Sequence, residues 1–221
     1  EDMDAVESVW EGKASGFVYG RYGTANHAML EALVARLEGA EAGVACASGM
    51  GATTAWLLSL LAAGDHVVSA RDLYGTTAAF LEGDGRRLGV ETTFVDATDS
   101  AAVVDALLPN TRAVFVEAIS NPLLRLVDLP ALAAALGPRG IDLVVDGSMA
   151  SPAVMRPIEH GATVVMHSLT KFISGHGDVT GGLVLGRKEP MERVRAAMIR
   201  AGTNLGPFDA WLATRGARTL S

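Results

Sequence analysis

The chain has 221 residues, 49% of them hydrophobic and only 19% charged, enough apolar material for one globular domain and too much for a disordered chain. A net charge of -7 offers no basic stripe to neutralise phosphates, which argues against a nucleic-acid partner. The single Cys46 excludes an internal disulfide and fits a reducing compartment, and no apolar run approaches the ~20 residues that span a bilayer.

In chain order, the acidic start Glu1-Asp2-Met3-Asp4 lacks the basic and apolar regions of a cleaved leader, so a cytoplasmic protein with no membrane partner is expected. Residues 1–20 match no clear element and read as an arm that packs elsewhere, on another subunit; residues 21–221 form the domain proper. Helical spacing covers Ala25 to Leu37, Ala52 to Ala62, Thr77 to Leu88, Ala101 to Leu107 and Pro130 to Leu136, with a final helix over Pro190 to Arg200. Between them, short apolar runs predict strands at Gly43 to Ala47, His66 to Ala70, Glu91 to Val95, Ala113 to Glu117, Leu143 to Asp146, Thr163 to His167 and Gly182 to Leu185. This alternation predicts an α/β fold: a mainly parallel seven-stranded sheet with helices on both faces, whose strands are apolar throughout because both sides are covered.

In such a sheet, ligands bind beyond the carboxyl ends of the strands. Ala47-Ser48-Gly49-Met50-Gly51 opens a helix, where free amides and the positive end of the dipole suit a phosphate; the plain alternative is a tight turn with Ser48 as N-cap. The glycine spacing fits neither a dinucleotide fingerprint nor a P-loop, which counts against a nicotinamide oxidoreductase on a similar sheet. Glu117 ends a strand with Asn121-Pro122 close behind, and could orient a ring substituent or be structural. Asp146 ends a buried strand and needs a hydrogen-bonding or cationic partner; a pyridinium nitrogen would serve, and a turn cap is the alternative. No metal-ligand spacing accompanies it, so no metal is expected. Finally, the run Val164-Val-Met-His-Ser168-Leu-Thr170-Lys171 delivers two hydroxyls and a lysine into the glycine-rich Gly175-His176-Gly177-Asp178. A snorkelling surface lysine is the plain reading of Lys171 alone. With the acid and the anion cradle, it becomes a partly desolvated Schiff-base lysine for pyridoxal 5'-phosphate (PLP), with Ser168 and Thr170 donating to the same phosphate as Gly49 and Met50.

The Ser168-Leu-Thr170-Lys171 segment and the glycines after it resemble the PLP-lysine signature of the Cys/Met-metabolism (trans-sulfuration) enzymes, and the likeness runs across nearly the whole chain. The resemblance implies a fold type I PLP-dependent large domain over residues 21–221 and γ-replacement or γ-elimination on a homoserine ester or sulfur amino acid. A lyase outcome, or a non-catalytic PLP-fold protein, is the alternative. It implies that Lys171 bonds the cofactor and moves protons, that Tyr74 of Asp72-Leu-Tyr74-Gly75 stacks on the ring and acts as acid or base, and that Asn121 contacts the ring hydroxyl. Asp146 falls on the pyridine-nitrogen partner, and Ser48-Gly49-Met50 on the phosphate loop. Tyr19-Gly-Arg21 resembles a phosphate clamp given to a neighbouring subunit, which implies a homodimer or a dimer of dimers.

The chain also departs from the family's pattern. Gly147-Ser148 stands where Asn-Thr is usual, which implies looser surroundings for the cofactor, and Gly20 and Thr24-Ala25-Asn26 replace Ser and Asn-Pro-Thr. Thr76 stands where methionine γ-lyases carry cysteine. The resemblance further implies a C-terminal domain with an arginine for the substrate carboxylate; the chain stops at Ser221, where that domain is expected to begin, as a fragment would.

Overall fold

A computed structural model describes residues 2–220; Glu1 and Ser221, the outermost residues of the expected arm and domain, lie outside it. The strands are β1 (Ala42–Cys46), β2 (His66–Ala70), β3 (Glu91–Val95), β4 (Thr111–Glu117), β5 (Asp142–Asp146), β6 (Val164–Ser168) and β7 (Gly182–Gly186). They form one seven-stranded sheet in the order β1-β7-β6-β5-β4-β2-β3. The pairs from β6 through β5, β4 and β2 to β3 are all parallel, and only β7 runs against its neighbours β1 and β6. The expected strands are all present, each displaced by two residues at most.

The helices are α1 (Met3–Trp10), α2 (Ala25–Glu38), α3 (Gly49–Leu60), α4 (Gly75–Ala79), α5 (Ser100–Asp105), α6 (Leu129–Leu136), α7 (Ser151–Val154), α8 (Lys188–Ala201) and α9 (Pro207–Ala217). Side chains one residue apart on β6 show that both faces are covered: Met166 meets Thr53 of α3, while His167 meets Glu38 of α2. Local chemistry sets several starts. Ser48 accepts from the Gly51 amide to begin α3, and Asp128 accepts from Ala131 ahead of Pro130 in α6. The core lies against the sheet, with Trp56 and Phe115 fully buried and their rings 5.4 Å apart. No helix among the described residues is long and apolar enough to cross a membrane.

Three expectations need correction. Residues 1–20 are not without structure: α1 occupies Met3–Trp10, capped by Asp2, with Met3, Val6, Val9 and Trp10 at helical spacing but no residue buried. The helix over Lys188–Ala201 is not the last, because α9 follows. The expected helix from Thr77 to Leu88 is interrupted: α4 passes into a π-helical stretch at Phe80–Gly85, where Gly83 and Gly85 weaken the regular ladder.

Candidate functional site

The register gathers the site. Glu117 pairs with Asp146 and Asp146 with Met166, so β4, β5 and β6 end side by side. On the other side, Gly182 of β7 pairs with both Cys46 and Ser168, which brings the loop after β1 against the end of β6. A Cβ on Gly182 would lie 2.2 Å from the Ser48 carbonyl oxygen, so glycine alone permits that approach.

Above these ends opens a cavity of about 490 Å³. Ser48, Gly49 and Met50 line one side, and Ser168, Thr170 and Lys171 line the adjoining loop. Asp146, Tyr74, Asn121 and Glu117 also line it. The amides of Gly49 and Met50 lie in the first turn of α3, where a helix offers no internal acceptor. Facing them, Ser168 packs closely, its Cβ 3.3 Å from where a Gly49 Cβ would stand. The result is a pocket of amides and a hydroxyl at the positive end of a twelve-residue helix.

Individual residues are more constrained than the motifs suggested. Asp146 is half-buried, and its Oδ1 accepts the Ser148 amide at 2.8 Å, so it caps its own turn while its carboxylate still lines the cavity. Ser148 Oγ in turn accepts the Ser168 amide at 2.7 Å and ties the Asp146 loop to the Lys171 loop. Thr170 Oγ1 accepts from the Gly181 amide at 3.1 Å, an attachment the phosphate assignment did not anticipate. Lys171 is exposed and lines the cavity. It sits at a kink in the π-helical turn Leu169–Ile173, with φ -95° and ψ -128°.

Tyr19 and Arg21 do not line this cavity. Arg21 donates to the Ile199 carbonyl of α8 at 3.1 Å, and its guanidinium lies over the rings of Tyr19 and Tyr22.

Two residues that the sequence ranked low or passed over organise the rim. The Glu117 carboxylate accepts the Tyr74 amide at 2.6 Å through one oxygen and the Asn121 amide at 3.0 Å through the other. Burial pushes its carboxyl up to about 7, helped by the negative charges of Asp146 and Asp72 and opposed by the two amides. Arg125 binds Asp72 at 2.8 Å, Asp96 at 2.7 Å and Thr98 at 2.8 Å, fixing the loop that leads into Tyr74. Cys46 takes no part: burial pushes its thiol up to about 12, far from thiolate chemistry.

The comparisons agree on kinship. The profile of the family described as "Cys/Met metabolism PLP-dependent enzyme" matches residues 2–221. An L-methionine gamma-lyase of Treponema denticola is 42% identical over 210 residues, covering 93% of this chain and 52% of the relative. An O-succinylhomoserine sulfhydrylase of Pseudomonas aeruginosa is 43% identical over 209 residues, covering 95% and 52%. The crystal structure of metB from Corynebacterium glutamicum superposes with a TM-score of 0.91 at 39% identity, covering 93% of this chain and 54% of that one. The chain thus spans about half the length of the curated relatives it matches.

Proposed function

The chain belongs to the Cys/Met metabolism PLP-dependent enzyme family, and from that premise we propose that its cavity holds PLP for γ-replacement or γ-elimination on a homoserine ester or a sulfur amino acid. The observation that carries the reading is the meeting of Lys171, Asp146 and the Ser48–Met50 turn around one cavity of about 490 Å³. The residues fit the group: a helix start with open amides for its phosphate, a strand-end carboxylate for its ring nitrogen, and one amine for its aldehyde. When bound, PLP supplies an electron sink for charge developing on the amino-acid carbon beside the amine.

The chain's own groups then divide the work. The Gly49 and Met50 amides, with Ser48 and Ser168, would hold the phosphate, and Thr170 would support that corner. The Asp146 carboxylate would keep the ring nitrogen protonated. Tyr74 would cover the ring face, and Asn121 would meet the ring hydroxyl. Lys171 Nζ would hold the aldehyde and carry protons to and from the substrate carbons, with the Tyr74 hydroxyl as a second acid or base near the leaving group. Tyr19 and Arg21, which lie off this cavity, reach the phosphate of a neighbouring subunit in a homodimer or a dimer of dimers. We place the protein in the cytoplasm and assign residues 21–221 as the cofactor-binding domain, with residues 1–20 as an arm.

Relatives named for a lyase and for a sulfhydrylase match at 42% and 43% identity, so overall likeness favours neither outcome. Adding PLP to the purified chain tests the cofactor: a visible absorbance band that Lys171→Ala abolishes is expected, and an unchanged spectrum in the variant refutes the assignment. Release of 2-oxobutyrate from a homoserine ester, with and without an added thiol, separates elimination from replacement.

A further inference from the structure

Glu117 lies beneath the rim of the cavity at the end of β4, only 6% exposed. Both of its carboxylate oxygens are engaged by backbone N–H groups, and the two donors belong to different loops: Tyr74, ahead of α4, and Asn121, after β4. Those loops carry the two side chains that the proposed function assigns to the face and the hydroxyl of the cofactor ring. A carboxylate is the one side chain of this size that accepts at both ends. A glutamine would set an N–H against one of the two amides, and an aspartate is too short to span them.

We infer that Glu117 is a positioning residue: its carboxylate clamps the Tyr74 loop and the Asn121 loop at a fixed separation, and so sets where both meet the cofactor. The inference rests on the PLP reading for its consequence, but the clamp itself is a property of the chain alone.

The surroundings make the clamp sensitive to protonation. Asp146 faces Glu117 from β5 and Asp72 from the loop after β2, both negative. The positive Arg125 lies beyond Asp72, bound to it, and Tyr74 and Lys171 line the cavity above. Burial and the two acids raise the Glu117 carboxyl to about 7. Protonation turns one acceptor into a donor, and one of the two amides loses its partner.

Labelling the chain with ¹⁵N-tyrosine gives three amide signals, from Tyr19, Tyr22 and Tyr74, and Tyr74→Phe identifies the third. Without added PLP, the Tyr74 amide proton is expected to titrate with a midpoint of about 7 while the other two do not follow it. In Glu117→Gln this titration disappears, and PLP binding followed by absorbance weakens about tenfold, as expected for one lost hydrogen bond to a charged acceptor. A Tyr74 signal that stays constant between about pH 5.5 and 8.5 overturns the inference. So does a Glu117→Gln chain that binds PLP as tightly as the wild type. If the wild-type chain fails to bind PLP, the functional reading falls, and the amide titration still decides the clamp. That titration needs no substitution at Glu117, so a Glu117→Gln chain that does not fold leaves the decision with it.

Discussion

Glu38, which ends α2, and His167, one residue before the end of β6, give the sharpest test of what holds the lysine-bearing strand in place. Both side chains have 0% exposure, and Nε2 of the ring lies 2.8 Å from Glu38 Oε2. Nδ1 has no partner among the described residues, so Glu38 supplies the ring's entire hydrogen bonding. Removing Glu38 as Ala strands a buried imidazole and opens a void. Breaking a buried pair from one side costs about 3–5 kcal/mol. Glu38→Gln keeps an amide oxygen of the same reach for the ring nitrogen and costs about 1 kcal/mol. Urea unfolding followed by the fluorescence of the buried Trp56 measures the difference. In a melting experiment on a chain of this size, roughly 2–4 °C per kcal/mol puts the Ala variant about 6–20 °C below the wild type and the Gln variant a few degrees below. If Ala and Gln cost the same, the pair is not what steadies this end of β6, and the reasoning is wrong.

Three further outcomes follow from the same geometry. The Glu117 carboxyl is raised from 4.5 to about 7, so the folded chain binds that proton more tightly than the unfolded chain; stability from this group falls as pH climbs through that window, by about 3 kcal/mol, and Glu117→Gln should flatten the decline in urea midpoints between about pH 5 and 8. A Cβ at Gly147 would lie 2.5 Å from His167 Cε1, so Gly147→Asn should destabilise by about 1–3 kcal/mol, with a smaller added cost in a His167→Ala background. Arg125→Ala frees Asp72, Asp96 and Thr98 together, and limited proteolysis read by mass spectrometry should show several-fold faster cleavage between residues 119 and 126; an unchanged rate would mean that Arg125 does not hold this rim.

The sheet was legible because burial on both faces leaves a readable trace: β4 carries Ala113-Val-Phe-Val116, β5 Leu143-Val-Val145 and β6 Val164-Val-Met166, consecutive apolar residues with no alternating polar face. The helix α9 left no such trace. It packs through Ala210, Ala213, Thr214, Gly216 and Ala217, and Gly216 comes so close to Ser174 that a Cβ would lie 2.2 Å from its carbonyl oxygen. Close approach of small residues carries little hydrophobic periodicity, so a helix that depends on it reads as loop.

The candidate site divides along the same line. Lys171, Asp146 and the Ser48–Met50 turn each sit at the end of a readable strand, so their convergence follows once the strands are parallel and their carboxyl ends lie at one edge. Glu117 stands at such an end too, yet its role is invisible in the sequence, because its partners are backbone amides, and one belongs to a residue 43 positions away. Arg125 is equally silent, since it acts on acids 53 and 29 positions distant. Residue type announces the groups that meet a ligand; it does not announce the groups that space those residues. In this chain the spacing falls to a buried carboxylate and a half-exposed arginine, which hold the Tyr74 loop from below and from the side. Changes there should alter how firmly the cofactor is held while every motif residue remains in place.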